Sequence, residues 1–112
     1  MSLSLRRETV GGVDILALNG AVDLSTLPRV ADALNRAVAE GQPVVAVDLE
    51  AISVIDDAAL GTLLGAASRL RREDRRLVLI SSDSRIVQHL EATGVASIVP
   101  VVPSLSSVTT SQ

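Results

Sequence analysis

Two short runs of the chain, Val44 to Leu49 and Leu77 to Ile80, are apolar at successive positions, interrupted only by Asp48. A strand with one face in water alternates apolar and polar residues, whereas a strand apolar at successive positions has to be covered on both faces. Both runs are too short for buried helices and carry β-branched Val or Ile, which favours strands. The rest of the chain must supply the cover.

The flanking segments read as that cover. Ser2 to Val10 and Val13 to Leu18 are strand-like, and Gly11-Gly12 between them tolerates positive φ, which predicts an opening β-hairpin. Leu27, Val30, Leu34 and Val38 recur at helical spacing, with Ser25 or Thr26 as N-cap, Pro28 in the first turn and Gly41 past the end. Leu60, Leu63, Leu64, Ala67 and Leu70 form a second helical stripe, which ends in the charged stretch Arg71 to Arg76. Ser82 or Asp83 caps a short helix carrying Ile86, Val87 and Leu90 and stopped by Gly94. Ile98 to Val102 reads as a last strand, placed at a sheet edge because Pro100 has no N–H to donate. Strands alternating with helices after a hairpin predict an α/β sandwich: a mixed, mostly parallel sheet of about five strands with three to four helices. Residues 1–102 form the one domain, and the Ser/Thr-rich tail 103–112 is expected to be weakly helical or frayed.

The 112 residues contain no Phe, Tyr or Trp, so the core must be built from Leu, Val, Ile and Ala. A formal net charge of −3 and the lack of stacking aromatics argue against a nucleic-acid binder. All ten basic residues are Arg, so lysine Schiff-base chemistry is excluded, as are thiolate and soft-metal chemistry by the absence of Cys. No segment has the length of a signal peptide's apolar run or of a spanning helix, which predicts a cytoplasmic protein without direct membrane insertion.

In open α/β sheets, sites form beyond the carboxyl ends of the strands. Three such loops, holding Asp23 with Ser25, Asp56 with Asp57, and Ser81 with Asp83, are predicted to be neighbours. An acidic pair at a strand end could hold Mg²⁺ for phosphoryl transfer, but no lysine accompanies it. Asp57 reads more simply as the N-cap of a helix beginning at Ala58. His89 has no serine nucleophile or ligand cluster near it in sequence, which points to surface packing, and Arg69 to Arg76 reads as a solvated helix end. Gly61 and Gly65 lie inside a helix rather than in a phosphate-binding turn. No nucleophile and base can be assembled, so neither an enzyme nor a cofactor or metal site is expected.

One pattern asks for an explanation. Ala58, Gly61, Thr62, Gly65 and Arg69 share a helix face almost without bulk, opposite the leucine stripe. Glycine inside a helix costs about 1 kcal/mol relative to alanine. Either another element of the chain packs closely there, or a partner backbone approaches a smooth surface.

These residues also carry a resemblance. "VVAVDLEAISVIDDAALGTLLGAASRL", preceded by "NGAVDLST" and followed by "HLEATGVASIVPV", resembles the STAS domain in its stand-alone form, the bacterial anti-sigma factor antagonists. Asp48-Leu49 matches the family's strand end, Asp56 the leading Asp of its Asp-Ser-Ser-Gly-Leu-Gly motif, Leu60-Gly61 the motif's close, and Asp23 the acidic position of a Gly-x-x-Asp loop. The resemblance implies a non-enzymatic regulator that binds an anti-sigma factor and serine kinase of the GHKL ATPase type. Binding frees the sigma factor, and phosphorylation at the motif's second hydroxyl reverses the switch. The implied partner-binding face is Asp23, Ser25, Asp56, Asp57, Ala58, Gly61, Thr62 and Gly65.

Here the chain departs from the pattern. Asp57 stands where the family has its first hydroxyl residue, Ala58 at the phosphoacceptor position and Ala59 at the family glycine. Ala58 has no oxygen to phosphorylate, so the expectation is an antagonist not switched at the usual site, with Ser25, Ser53 and Thr62 as the other hydroxyls to examine. Two further roles stay open under the same resemblance: an accessory subunit of a transport ATPase, and a small-ligand-sensing domain.

Overall fold

The computed structural model describes residues 2–108. The chain opens with β1 (Leu3–Val10) and β2 (Val13–Val22), continues with α1 (Leu27–Glu40) and β3 (Val44–Ile55), then α2 (Asp57–Arg71), β4 (Arg76–Ile80), α3 (Ser84–Ala92) and the two-residue β5 (Val101–Val102). Short 3-10 turns occupy Val95–Ser97 and Leu105–Ser107. The five strands form one sheet in the order of the sequence, with β1 antiparallel to β2 and every later pair parallel. This is the mixed, mostly parallel sheet that the two apolar runs demanded.

Alternate residues of each strand enter two clusters. Leu16 and Leu18, Val45 and Val47, and Leu77 and Leu79 face one side and pack against Val30 and Leu34 of α1, Leu60, Leu63 and Leu70 of α2, and Ile86 and Leu90 of α3. On the opposite side Val13, Ile15, Val44, Ala46, Val78 and Ile80 form a smaller cluster against Val102 and Val108. All three helices thus lie on one face, and each fully buried leucine contributes roughly 2 kcal/mol by leaving water.

Local chemistry sets the element ends. Thr26 precedes α1, Pro28 sits in its first turn, and Gly41 closes it in the left-handed region at φ 90°. Gly20 is required for a different reason: at φ +119° an added Cβ would lie 2.2 Å from the Ser2 carbonyl oxygen, where β1 starts against the end of β2.

Four boundaries differ from the sequence-based expectation. β2 continues four residues past Leu18, and β3 six residues past Leu49. The predicted strand Ile98–Val102 shrinks to Val101–Val102, because the chain first makes a 3-10 turn and only then brings the Pro100 carbonyl to the Leu79 N–H at 2.9 Å. Helix α2 begins at Asp57 with Asp56 as its N-cap, so Asp57 is not the cap; strand β3 runs to Ile55, leaving a single residue between strand and helix. The arginine run is not a uniformly solvated helix end either. The Arg75 side chain is 9% exposed, donating from Nε to the Gln42 carbonyl at 2.7 Å and from Nη1 to the Val38 carbonyl at 2.6 Å. It thereby satisfies the Val38 carbonyl, one of those that the end of α1 leaves without a helical partner, and the Gln42 carbonyl just beyond it.

Candidate functional site

Beyond Asp48, which pairs with Ile80, β3 has no β4 residue beside it, while on its other side it follows β2 as far as the pair Val22 and Ile55. The ends of β2 and β3 therefore form a corner of their own. The Asp56 N–H donates to the Val22 carbonyl at 2.9 Å, which fixes the turn into α2 directly beside the turn into α1.

On the β2 side the loop is held by its own polar groups. Asp23 Oδ1 accepts from the Ser25 N–H at 2.9 Å, the Ser25 hydroxyl at 2.6 Å and the Thr26 N–H at 3.2 Å. These bonds favour the ionised form and hold the Asp23 carboxyl below the ordinary aspartate range, the Ser25 hydroxyl contributing most. Thr26 is buried, its hydroxyl donating to the Ala21 carbonyl at 2.9 Å and accepting from the Asp23 N–H at 3.0 Å. The loop is thus rigid, yet Leu24 at its tip is 70% exposed. Sequence reasoning passed over this leucine; its signal was a single large apolar residue between polar neighbours in a loop.

On the β3 side Asp56 is half-buried and makes no side-chain cap bond, while Asp57 and Ala58 are exposed on the first turn of α2. The Asp57 carboxylate turns away from the helix end to His89 of α3, with Oδ1 and Nε2 3.0 Å apart. His89 is therefore part of this corner rather than an isolated surface residue. Further along α2, Gly61 and Gly65 are exposed and Thr62 is half-buried, its hydroxyl back-bonding to the Ala58 carbonyl at 3.4 Å. A Cβ at either glycine would meet nothing within 4 Å. No element of the described chain packs over the two glycines, although Arg69, one turn further along the same face, donates to Asn35 Oδ1 of α1 at 2.8 Å.

The structure brings Asp23, Ser25, Asp56, Asp57 and Ala58 to one corner, with Gly61, Thr62 and Gly65 extending from it along α2. It does not bring the third predicted loop there. Ser81 and Asp83 follow the end of β4, next to Asp48 rather than Asp56; Glu50 accepts from the Ser82 N–H and, at 2.8 Å, from its hydroxyl. Asp83 instead caps α3 through the Arg85 N–H at 2.9 Å. Among the described residues no group of three or more His, Cys, Asp or Glu could hold a metal ion.

An exposed, rigid corner with one apolar tip, several carboxylates and a helix face without side chains is suited to contact with another macromolecule. The family profile of the STAS domain matches residues 4–108. An anti-sigma-B factor antagonist of Listeria monocytogenes is 29% identical over 101 residues, covering 90% of this chain and 88% of the relative. Among solved structures, an anti-sigma factor antagonist from Mycobacterium paratuberculosis superposes with a TM-score of 0.87 at 22% identity, over 94% of this chain and 89% of that one. The antagonist SpoIIAA in its unphosphorylated form superposes with a TM-score of 0.74 at 17% identity, over 88% and 87%. With a family match spanning nearly the whole sequence, and the same sheet order and helix layer, this chain belongs to the STAS domain family.

Proposed function

We propose that this protein is a non-enzymatic regulator of the anti-sigma factor antagonist type, acting in the cytoplasm, and that it binds an anti-sigma factor of the GHKL ATPase type through the corner of Asp23, Ser25, Asp56, Asp57 and Ala58 and the face of Gly61, Thr62 and Gly65. The observation that carries the proposal is the open space over Gly61 and Gly65. Glycines inside a helix lower its stability, and the described chain makes no use of the room they leave. A partner backbone approaching that face does. Leu24, the exposed apolar tip of the β2–α1 loop, would add apolar area to the contact.

Ala58 decides how such an interface is regulated. A phosphate on the first turn of α2 would add about −1.5 to −2 charge next to Asp56 and Asp57 and break a desolvated contact. A methyl group cannot carry it. The protein is accordingly an antagonist that stays competent to bind in the presence of an active kinase.

The test combines binding and phosphorylation. The GHKL-type anti-sigma ATPase of the same organism is titrated with the wild-type protein and with Gly61→Arg, then incubated with the wild type and ATP, and the product is weighed intact. The expected result is a complex that Gly61→Arg abolishes and a mass without added phosphate. One phosphate mapped to Ser25, Ser53 or Thr62 overturns the unswitched reading. Association with a membrane-bound transport ATPase in place of the anti-sigma factor replaces the whole reading by that of a transporter accessory subunit.

A further inference from the structure

The edge of the sheet opposite β5 is β1, eight residues long and paired on one side only. The hairpin geometry tells which of its backbone groups are free. Val10 and Val13 flank the two-residue turn Gly11-Gly12 and form a hydrogen-bonded pair, so even-numbered residues of β1 bond to β2 and odd-numbered ones point outward. Two observed bonds agree: the Ser2 carbonyl accepts from the Ala21 N–H of β2, whereas the Leu3 carbonyl accepts from Arg29 of α1. Leu5, Arg7 and Thr9 therefore present N–H and C=O groups with no strand beside them.

Along this edge, between β1 and α1, runs a groove of about 290 Å³. Its floor is Leu5, Leu16 and Ala33, and its rim carries Arg7, Arg29 and Arg36 against the single carboxylate of Asp32, with Arg6 at the strand edge. Arg7 is already neutralised by the buried Asp14, through bonds of 2.8 and 2.6 Å, and by Glu40 at 3.3 Å. The Arg36 to Asp32 pair, 3.2 Å apart, is largely exposed and easily exchanged for a better-placed carboxylate. Arg29 spends one N–H on the Leu3 carbonyl, and Arg6, in register with Ala17 and one residue from Leu5 and Arg7, turns its side chain to the opposite face of the sheet. In a chain with a net charge of −3 this is a local concentration of cations over an apolar floor.

We infer that this groove is a second protein-binding site, which takes an extended acidic segment of a partner by adding it as a strand to the free edge of β1. Free main-chain groups at Leu5, Arg7 and Thr9 supply the ladder, the apolar floor takes side chains on the α1 face of the incoming strand, Arg29 and Arg36 select carboxylates on that same face, and Arg6 selects one on the other. The same cations reject a second copy of β1, because self-pairing would bring the Arg6 side chains of the two copies together on one face and their Arg7, Arg29 and Arg36 together on the other. Charge on an edge strand is a common guard against self-association, and here its sign also specifies the permitted occupant. The site lies on the opposite side of α1 from α2 and is independent of the corner at Asp56.

The probe is an acetylated peptide of repeating Val-Val-Glu-Glu, so that each face of the extended strand carries both Val and Glu, compared with the same peptide carrying Lys for Glu and with a version N-methylated at alternate residues. Binding is followed by fluorescence anisotropy and by the backbone amide signals of the full chain. The expected outcome is that the Glu peptide binds, protects and shifts the amides of Leu5, Arg7 and Thr9, and loses about tenfold in affinity on Arg36→Glu. Binding should vanish with the N-methylated and the Lys peptides. Thr9→Pro, which removes one outward N–H from the edge, should weaken it in a protein whose remaining amide spectrum is unchanged. Failure of the Glu peptide to bind, equal binding of the Lys or N-methylated peptide, or shifts confined to the first turn of α2 would each overturn the proposal. So would a concentration-dependent dimer that Thr9→Pro dissociates, since the groove would then hold a second copy.

Discussion

His89 Nε2 lies 3.0 Å from Asp57 Oδ1, tying the last turn of α3 to the first turn of α2 across 32 residues of sequence. Both side chains are well exposed, at 40% and 80%. A pair of that exposure contributes no more than about 1 kcal/mol. A double-mutant cycle of His89→Ala and Asp57→Asn in urea should therefore give a coupling below about 1 kcal/mol that fades with added salt. A larger, salt-independent coupling would mean that the clasp holds the two helices together.

The glycines of α2 should separate stability from binding. Neither lies at positive φ, and neither has a neighbour within 4 Å of the place a Cβ would take. Gly61→Ala and Gly65→Ala should each stabilise the protein by about 0.5–1 kcal/mol in urea denaturation. Partner affinity should fall in the same variants, because each added methyl group stands on the smooth face. Loss of stability would show that the glycines serve the fold.

Arg75 should be among the most costly surface-sequence arginines to remove. Its guanidinium donates to the carbonyls of Val38 and Gln42 and, at 3.3 Å, of Ala37. Arg75→Ala leaves these acceptors beneath the end of α1 without a donor and should cost about 2–3 kcal/mol. Arg72→Ala, from the same charged run, should change stability by no more than about 0.5 kcal/mol. Equal effects of the two substitutions, read from their urea midpoints, would refute this account.

Acid should loosen the β2–α1 loop before the sheet. The Asp23 carboxyl is held below its ordinary value of 3.8 by the Ser25 hydroxyl and by the Ser25 and Thr26 N–H groups. A depressed folded-state value contributes stability that is present above the ordinary aspartate range and is lost as the pH falls through the folded value. Thermal unfolding of the wild type and Asp23→Asn, compared from neutral pH to about pH 2, should show the steeper acid loss in the wild type. Parallel curves would show that these hydrogen bonds do not bias the carboxyl.

Much of this molecule could be read along the chain. Val44 to Leu49 and Leu77 to Ile80 announce buried strands because apolar side chains at successive positions leave no face for water. The Gly11-Gly12 hairpin, Pro28 and Gly41 around α1, and Asp83 before α3 act on their own neighbours, so their effects are visible in a few residues of sequence. The second half of β3 was not visible. Register shifts in its pairing with β2 send Leu49, Ile52 and Ile55 inward at three-residue spacing, a period that belongs to neither a regular strand nor an α-helix.

What composition, periodicity and short-range chemistry determine here is the order of the elements and an aromatic-free core, and the family resemblance adds that Ala58 stands where a hydroxyl is expected. Tertiary structure alone decided the rest: that Asp56 occupies the N-cap position of α2 while Asp57 reaches His89, that Arg75 is spent on the end of α1, that the third strand-end loop stands apart from the other two, and that the faces of Gly61 and Gly65 are left open. Each of these depends on groups dozens of residues apart or on how far β3 outruns β4, and neither quantity is written in any local stretch of the chain.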